Sequence, residues 1–150
     1  MPEKQTLQQA KKDKREGKAA STQAGEFVRE EIEHIREGKH GARSAKQAIA
    51  IGLSKARRAG VDLPPPKKGT TSERTRQSAA SAYRAGQKSD VKVSPARSRA
   101  AKEALKDEGH AAASSTALAR HARAAAKDKT AAQRSAAARK AARTRAKTGR

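Results

Sequence analysis

The sequence predicts an all-α protein, in which a small helical hairpin is followed by short, alanine-rich basic helices, with a disordered arm and disordered linkers. Three observations predict this class. Alanine, the strongest helix former, supplies 35 of the 150 residues. Large apolar residues recur at helical spacing in one region of the chain, and helix-capping motifs precede several of the alanine-rich stretches.

Composition argues against one compact domain over the full length. Leu, Ile, Val and Phe together total 14 residues, and the formal net charge is +21. So few large apolar residues bury too little surface to offset the entropy of ordering a highly charged chain. We therefore expect a chain that is largely disordered or that folds with a partner.

Several classes of protein are disfavoured by simple absences. The sequence contains no cysteine, so disulfides and cysteine-based metal or redox sites are excluded. The first residues lack the apolar segment of a secretory signal, and no stretch approaches the ~18 apolar residues of a membrane span. We expect a cytoplasmic protein, located in the nucleoid if it binds DNA, with no membrane contact.

Charge and apolar residues divide the chain into four segments. Residues 1–24 form a flexible basic arm, and residues 25–66 form the helical hairpin core, which holds most of the large apolar residues. Residues 67–93 form a basic linker with a short helix. Residues 94–150 form an Ala/Lys/Arg-rich, histone-like tail. Its last 22 residues carry eight Lys/Arg and no acidic residue.

The first helix of the hairpin is predicted by apolar periodicity. Large apolar residues between Phe27 and Ile35 fall on one helical face, which predicts an amphipathic helix over about 23–37. Gly38 is placed to end this helix. Its other faces are rich in glutamate, so we expect them to turn away from DNA and to pair with a basic helix or to face solvent.

The second helix of the hairpin is predicted by its capping motif. Ser44 and Gln47 form an S-x-x-Q capping box, which predicts a helix beginning near Ala45. Gly60 suits a left-handed helix stop, and Val61 is placed for the apolar contact that often follows such a stop. One face carries small residues and permits close helix packing: Ala45, Ala48, Gly52 and Ala56. Because the hairpin core is small, we expect stabilisation by nucleic acid or by a homodimer through residues 25–63.

Four further helices are predicted by capping motifs in the basic half of the chain. They have no shared core in the sequence, so they are marginal in water and gain stability when their charge is neutralised. They cover about 71–85, 95–108, 115–127 and 131–147, after Thr70, Ser94, Ser114 and Thr130.

Surplus positive charge on helices predicts a polyanion as the partner, and nucleic acid is the densest in a cell. The second hairpin helix resembles the reading helix of a helix-turn-helix protein. An ordinary solvent-exposed helix face would show the same polar residues. With two aromatic residues, the chain has few stacking platforms for single strands, so duplex contact is favoured. The candidate nucleic-acid-binding residues are Arg43, Lys46, Gln47, Arg57, Arg58, Lys67, Lys68, Arg120, Arg123, Lys127, Arg139, Lys140, Arg143, Arg145 and Lys147.

Catalytic, cofactor and metal sites are not predicted. Glu31 and His34 match half of a di-iron carboxylate motif, but the second half is missing from the sequence. His40, His110 and His121 are isolated in the sequence and are expected to be exposed to solvent. No Ser/His/Asp cluster or phosphate-binding glycine loop is present, so an enzyme is not expected.

The stretch TQAGEFVREEIEHIREGKHGARSAKQAIAIGLSKARRAGVDLPPPKKG resembles an uncharacterised family of short basic bacterial proteins. The resemblance covers about residues 3–88, and the string from Glu33 to Pro66 is the most specific part. Some members of this family carry the labels DNA-binding or plasmid stabilisation protein. The tail is similar in composition to linker-histone-like bacterial proteins. This resemblance implies a nucleoid-associated role in a bacterium, without functional residues to carry over.

The sequence thus predicts sequence-tolerant binding of double-stranded DNA by a histone-like, nucleoid-associated protein. Two alternatives remain open at this point. An RNA-binding or ribosome-associated protein would use the same charges, and a stress-related disordered protein would need no partner.

Overall fold

The computed structural model describes residues 1–88 and 94–149, and this part of the chain is helical without a strand. The all-α prediction is therefore confirmed. Residues 89–93, the end of the predicted linker, lie outside the described residues. The helices are α1 (Lys4–Arg15), α2 (Ala20–Arg36), α3 (Ala45–Arg58), α4 (Glu73–Gly86), α5 (Pro95–Lys106), a 3₁₀ helix (Ala111–Ala113), α6 (Ser115–Lys127) and α7 (Ala131–Thr148).

The chain forms two compact units, Met1–Ser114 and Ser115–Arg150. In the first unit α2 packs against both α1 and α3, and α4 packs against α3. This arrangement supplies the hairpin with neighbours from its own chain. The second unit contains α6 and α7, and no residue described in these two helices is buried.

Residues of the predicted flexible arm form a packed helix instead. Leu7 and Ala10 of α1 lie against Ala24 and Phe27 of α2, and Ala10 is 6% exposed. The sequence did not indicate this packing because Leu7 is the only large apolar residue of the helix, and alanine carries no specific core signal. A small residue such as Ala10 is sufficient for this contact because it allows the two helices to approach closely.

The predicted small-residue face of α3 forms its contact with α2. Ala48 and Ala56 are fully buried, and Ala45 is nearly so. At Gly52 the helices approach so closely that an added Cβ would lie 2.7 Å from the Cα of Val28. Only glycine fits this crossing, because the atom it would meet belongs to the backbone.

The predicted end of α3 is also confirmed. Gly60 has a φ of 88°, in the left-handed region. Its N–H donates to the carbonyl of Arg57, and the N–H of Val61 donates to the carbonyl of Ala56. These two bonds are those of a Schellman motif, and Val61 is buried at 6% exposure.

Helix α4 packs on the end of α3 through small residues. Ala79 and Ala82 are buried, and a Cβ on Gly86 would lie 1.8 Å from the carbonyl oxygen of Arg57. The hydroxyl of Tyr83 donates to Asp62 Oδ1 at 2.6 Å, and this hydrogen bond raises the pKa of the tyrosine. The N-cap is Ser72, whose side chain accepts from Thr75, rather than the expected Thr70.

Helix α5 begins as predicted, with Ser94 as the N-cap and Pro95 in the first turn. Its end is attached to the loop between α2 and α3, because Gly41 N–H donates to the carbonyl of Leu105 at 2.8 Å. The following 3₁₀ helix buries Ala112 and Ala113. This part of the chain thus joins the first unit, although the sequence showed no core shared with it.

In the second unit, α7 begins with the predicted capping box. The Thr130 side chain accepts from Gln133 N–H at 3.2 Å, and the Gln133 side chain accepts from Thr130 N–H at 2.9 Å. Among the residues described here, no helix is both long and apolar enough to cross a membrane.

Candidate nucleic-acid interface

Positive charge is divided unequally between the two units. Residues 1–114 contain 25 Lys/Arg and 14 Asp/Glu, whereas residues 115–150 contain 11 Lys/Arg and a single acidic residue, Asp128. The second unit therefore has almost as much net charge as the first in about a third of its length. Its charge is not compensated within its own sequence.

The candidate cations of the second unit are exposed on both of its helices. Three of those on α7, Arg139, Arg143 and Lys147, recur every fourth residue, so their positions advance by about 6 Å along the axis at each step. Alanines fill three of the six positions between them. The exposed candidates are Arg120, Arg123, Lys127, Arg139, Lys140, Arg143, Arg145 and Lys147.

One arginine of α7 serves the fold of the second unit. The guanidinium of Arg134 donates to the carbonyls of Lys129 and Ala126, at the connection between α6 and α7. It caps the end of α6, where carbonyl groups lack helical partners. Arg134 was not among the candidate binding residues.

At the beginning of α3, one candidate binding residue takes part in the helix cap and two are exposed to solvent. The backbone N–H of Gln47 donates to Ser44 Oγ at 3.2 Å, and the Gln47 Oε1 atom accepts from the N–H of Arg43 at 2.7 Å. The amide oxygen of Gln47 is thus occupied by the helix cap. The side chains of Arg43 and Lys46 are exposed.

At the end of α3, two consecutive arginines lie in different environments. Arg57 is buried at 7% exposure, and its Nε donates to the carbonyl of Leu63 at 3.0 Å. Burial lowers the pKa of its guanidinium. The side chain holds the chain leading to Pro64 against α3, so it is occupied within the fold. Arg58, by contrast, is exposed, and so are Lys67 and Lys68 beyond the prolines.

The structure therefore places the candidates of the first unit in separate groups. Lys46 and Arg58 are 12 residues apart on α3, which corresponds to about 18 Å along the helix. The candidates of α6 and α7 belong to the other unit. Exposed cations that are spread along a helix suit an extended polyanion better than a small anion.

The surface between α1 and α2 is acidic, in contrast to these cationic groups. A groove there is lined by glutamates, among them Glu26, Glu30 and Glu33 of α2 and Glu37 at its C-cap. Glu3, which precedes α1, also lines this groove and contacts His34 and Lys39. Such a surface repels phosphate.

A cluster that could hold a metal ion lies at the end of α2. Glu31, His34 and His40 each offer one ligand atom, and these atoms lie within 4.8 Å of one another. Glu31 and His34 were recognised in the sequence as half of a metal-binding motif, but no metal site was predicted; His40 was expected in solvent and is instead buried at 8% exposure. The signal available was a Glu-x-x-His pair at a helix end, followed by a third possible ligand in the next loop.

Comparison with known proteins bears on the first unit. Residues 4–68 match the model of a family of unknown function, DUF6496. The match to DUF6496 covers α1, α2, α3 and the proline segment, and it supports the predicted resemblance to an uncharacterised family. No curated protein and no solved structure matches the chain. The basic helices α6 and α7 lie outside the DUF6496 region.

Proposed function

We propose that the protein binds double-stranded DNA with little sequence preference, as a histone-like, nucleoid-associated protein. Its main support is the composition of the second unit, with 11 Lys/Arg against one acidic residue on two helices that bury no described residue. A segment without a core and with uncompensated charge gains most when a polyphosphate neutralises it.

The binding free energy in this account comes from counterion release. Each cation that neutralises a phosphate releases a condensed counterion from the duplex, whatever the base sequence. Alanines between the cations allow the helices to approach the backbone of the duplex closely. The same contacts stabilise α6 and α7 by neutralising their charge, since the described residues of these helices include no buried face that packing could stabilise.

The first unit contributes a second cationic surface. Arg43 and Lys46 lie at the start of α3, where the helix dipole also favours anions, and Arg58 lies at its end. Lys67 and Lys68 extend this surface beyond the prolines. Arg57 is left out of the proposed interface because its guanidinium is buried and bonded to the Leu63 carbonyl.

The positions of the aromatic residues favour a duplex over a single strand. Phe27 is fully buried in the core between α1 and α2, and Tyr83 is hydrogen-bonded to Asp62. These are the only two aromatic residues of the Phe, Tyr and Trp type in the chain. Single-strand binders rely on exposed aromatic platforms, which this protein does not offer.

Charge substitution in the full chain tests the role of α7. A variant with Gln at Arg139, Lys140, Arg143, Arg145 and Lys147 is compared with the unmodified protein by fluorescence anisotropy of a labelled duplex at several salt concentrations. We expect weaker binding and a slope of log K against log salt that falls by up to about 4–5, since each phosphate contact contributes about 0.9.

The matched control removes the same charge from α1, where Gln replaces Lys4, Lys11, Lys12, Lys14 and Arg15. We expect a smaller change in slope, because these exposed cations lie near carboxylates such as Glu16, which is 3.9 Å from Lys12. Equal effects of the two variants would remove α7 from the mechanism. Competition with unlabelled structured RNA at fixed salt separates the two nucleic acids, and stronger displacement by RNA would favour the RNA-binding alternative.

A further inference from the structure

The buried cluster at the end of α2 has features that the protein fold alone does not explain. Glu31 is fully buried and His40 is nearly so, in a chain where almost all other charged groups are exposed. One oxygen of Glu31, Oε2, is paired with Lys55 Nζ at 2.5 Å. The other, Oε1, is buried without a hydrogen-bond partner, and the same holds for Oε1 of Glu30. Two unpartnered carboxylate oxygens in one place are costly.

A hydrogen bond to the backbone shows which ring nitrogen of His40 carries a proton. Its Nδ1 lies 3.0 Å from the carbonyl oxygen of Gly41, and this contact requires a proton on Nδ1. In the neutral ring, Nε2 then carries a lone pair. That atom lies 3.2 Å from Glu31 Oε1, but outside the geometry of a hydrogen bond. When the ring is neutral, these two lone pairs face one another, and a cation placed between them would stabilise both.

The distance between Glu31 and His40 suits a tetrahedral transition-metal ion. With bonds of about 2.0–2.2 Å, neighbouring ligand atoms around tetrahedral Zn²⁺ are separated by roughly 3.3–3.6 Å. The 3.2 Å between His40 Nε2 and Glu31 Oε1 is close to this value. His34 Nε2 lies 2.9 Å from Glu3 Oε1 and 4.0 Å from Glu30 Oε1, so a rotation of the His34 side chain away from Glu3 would complete four ligands. The contact between His40 and Gly41 is the outer hydrogen bond typical of a metal-bound histidine.

The local charge and the access from solvent also suit a divalent cation. Four carboxylates, from Glu3, Glu30, Glu31 and Glu37, surround two ammonium groups, those of Lys39 and Lys55, which leaves two negative charges for a dication to neutralise. The nearby Lys39 is paired with Glu37 at 2.9 Å. Glu30 and His34 line the open acidic groove between α1 and α2, which provides a path from solvent.

We propose that Glu30, Glu31, His34 and His40 bind a divalent transition-metal ion, with Zn²⁺ as the ion that this set of two imidazoles and two carboxylates favours. Imidazole ligands select zinc and its neighbours over Mg²⁺ and Ca²⁺. The bound ion ties the loop that carries His40 to helix α2. Since that loop also binds the end of α5 through Gly41, the ion stabilises the first unit independently of DNA binding.

The test is a titration of the full-length, tag-free protein with Zn²⁺ after removal of metal by a chelator. Calorimetry against a competing chelator gives the affinity and the stoichiometry. We expect one ion per chain, an increase in Tm with one equivalent of Zn²⁺, and a loss of affinity of more than about tenfold in His40→Ala and in His34→Ala. His34 is the less buried of the two, so its variant retains the fold even if that of His40 does not.

His121→Ala is the matched control, because His121 lies in the second unit, and it should bind one ion as tightly as the unmodified protein. Substitution by Co²⁺ adds a spectroscopic readout, since tetrahedral coordination gives intense d–d absorption that both His34→Ala and His40→Ala should lose. Absence of Zn²⁺ binding by the unmodified protein would overturn the proposal, as would His34→Ala and His40→Ala variants that bind Zn²⁺ as tightly as the unmodified protein.

Discussion

Arg57 and Arg58 are neighbours in the sequence, but their side chains lie in different environments. Arg57 is buried and donates to the Leu63 carbonyl, whereas Arg58 is exposed at the end of α3. From the sequence both were candidates for phosphate contact, because residue type and charge do not show which side of a helix is covered by the returning chain. The proline segment that covers Arg57 comes from six residues further along.

This pair supports a prediction with a built-in control. Arg57→Ala should destabilise the protein by about 1.5–3 kcal/mol, because it removes a hydrogen bond from a buried, charged donor to the Leu63 carbonyl. Arg58→Ala should change stability by less than about 0.5 kcal/mol and should weaken duplex binding. Urea unfolding and DNA titration of the two variants measure the effects. A loss of stability in the Arg58 variant equal to that in the Arg57 variant would contradict the assignment.

His40 is another residue whose environment could not be predicted from the sequence. Its position in the sequence, four residues after the end of α2, gives no indication of burial. The loop turns back and places the ring beside Glu31, where Lys55 of the next helix also points. Such a contact depends on how α2 and α3 pack, which no single-helix pattern contains.

At the scale of elements, the contact between α2 and α3 depends on one glycine. A Cβ at Gly52 would lie 2.7 Å from the Cα of Val28, so Gly52→Ala forces the two helices apart. We expect a loss of about 1–3 kcal/mol in the free energy of unfolding, measured with urea.

The control for this variant is Gly25→Ala in α2, because an added Cβ there has no atom within 4 Å. Alanine should stabilise that exposed helical position by about 0.5–1 kcal/mol. If both glycine variants shifted stability in the same direction, the close crossing at Gly52 would be incorrect.

The elements that local chemistry determines were predictable from the sequence. The Ser44 and Thr130 caps, the left-handed Gly60 and the small-residue face of α3 all follow from short motifs, and the structure contains each of them. The packing of α1 and the attachment of α5 were not predictable. They rest on alanine contacts and on backbone hydrogen bonds such as Gly41 to Leu105, which leave no recognisable pattern in side-chain type.

At the scale of the whole molecule, the chain combines a small folded unit with a highly basic one. The hairpin was expected to need a second copy or nucleic acid, because its large apolar residues are few. The structure provides α1, α4 and the 3₁₀ helix as neighbours, so the first unit is covered by its own chain. Tertiary packing through alanine and glycine supplies what large side chains supply in most cores.

The division of charge then assigns different tasks to the two units. The first unit has an acidic groove, a candidate metal cluster and limited cationic patches, and residues 4–68 within it match DUF6496. The second unit carries 11 Lys/Arg with a single acidic residue and no buried side chain among those described. We infer that the first unit provides the folded scaffold and that the second provides most of the nonspecific affinity for DNA.

The most direct test of this account is a titration of a labelled DNA duplex of arbitrary sequence with the intact protein at about 150 mM salt, where exposed charges are screened beyond ~8 Å. We expect saturable binding whose affinity decreases linearly with the logarithm of the salt concentration. A protein that left the duplex unbound at this salt concentration, or that bound it with an affinity independent of salt, would contradict the central claim that its surplus cations exist to neutralise polyphosphate.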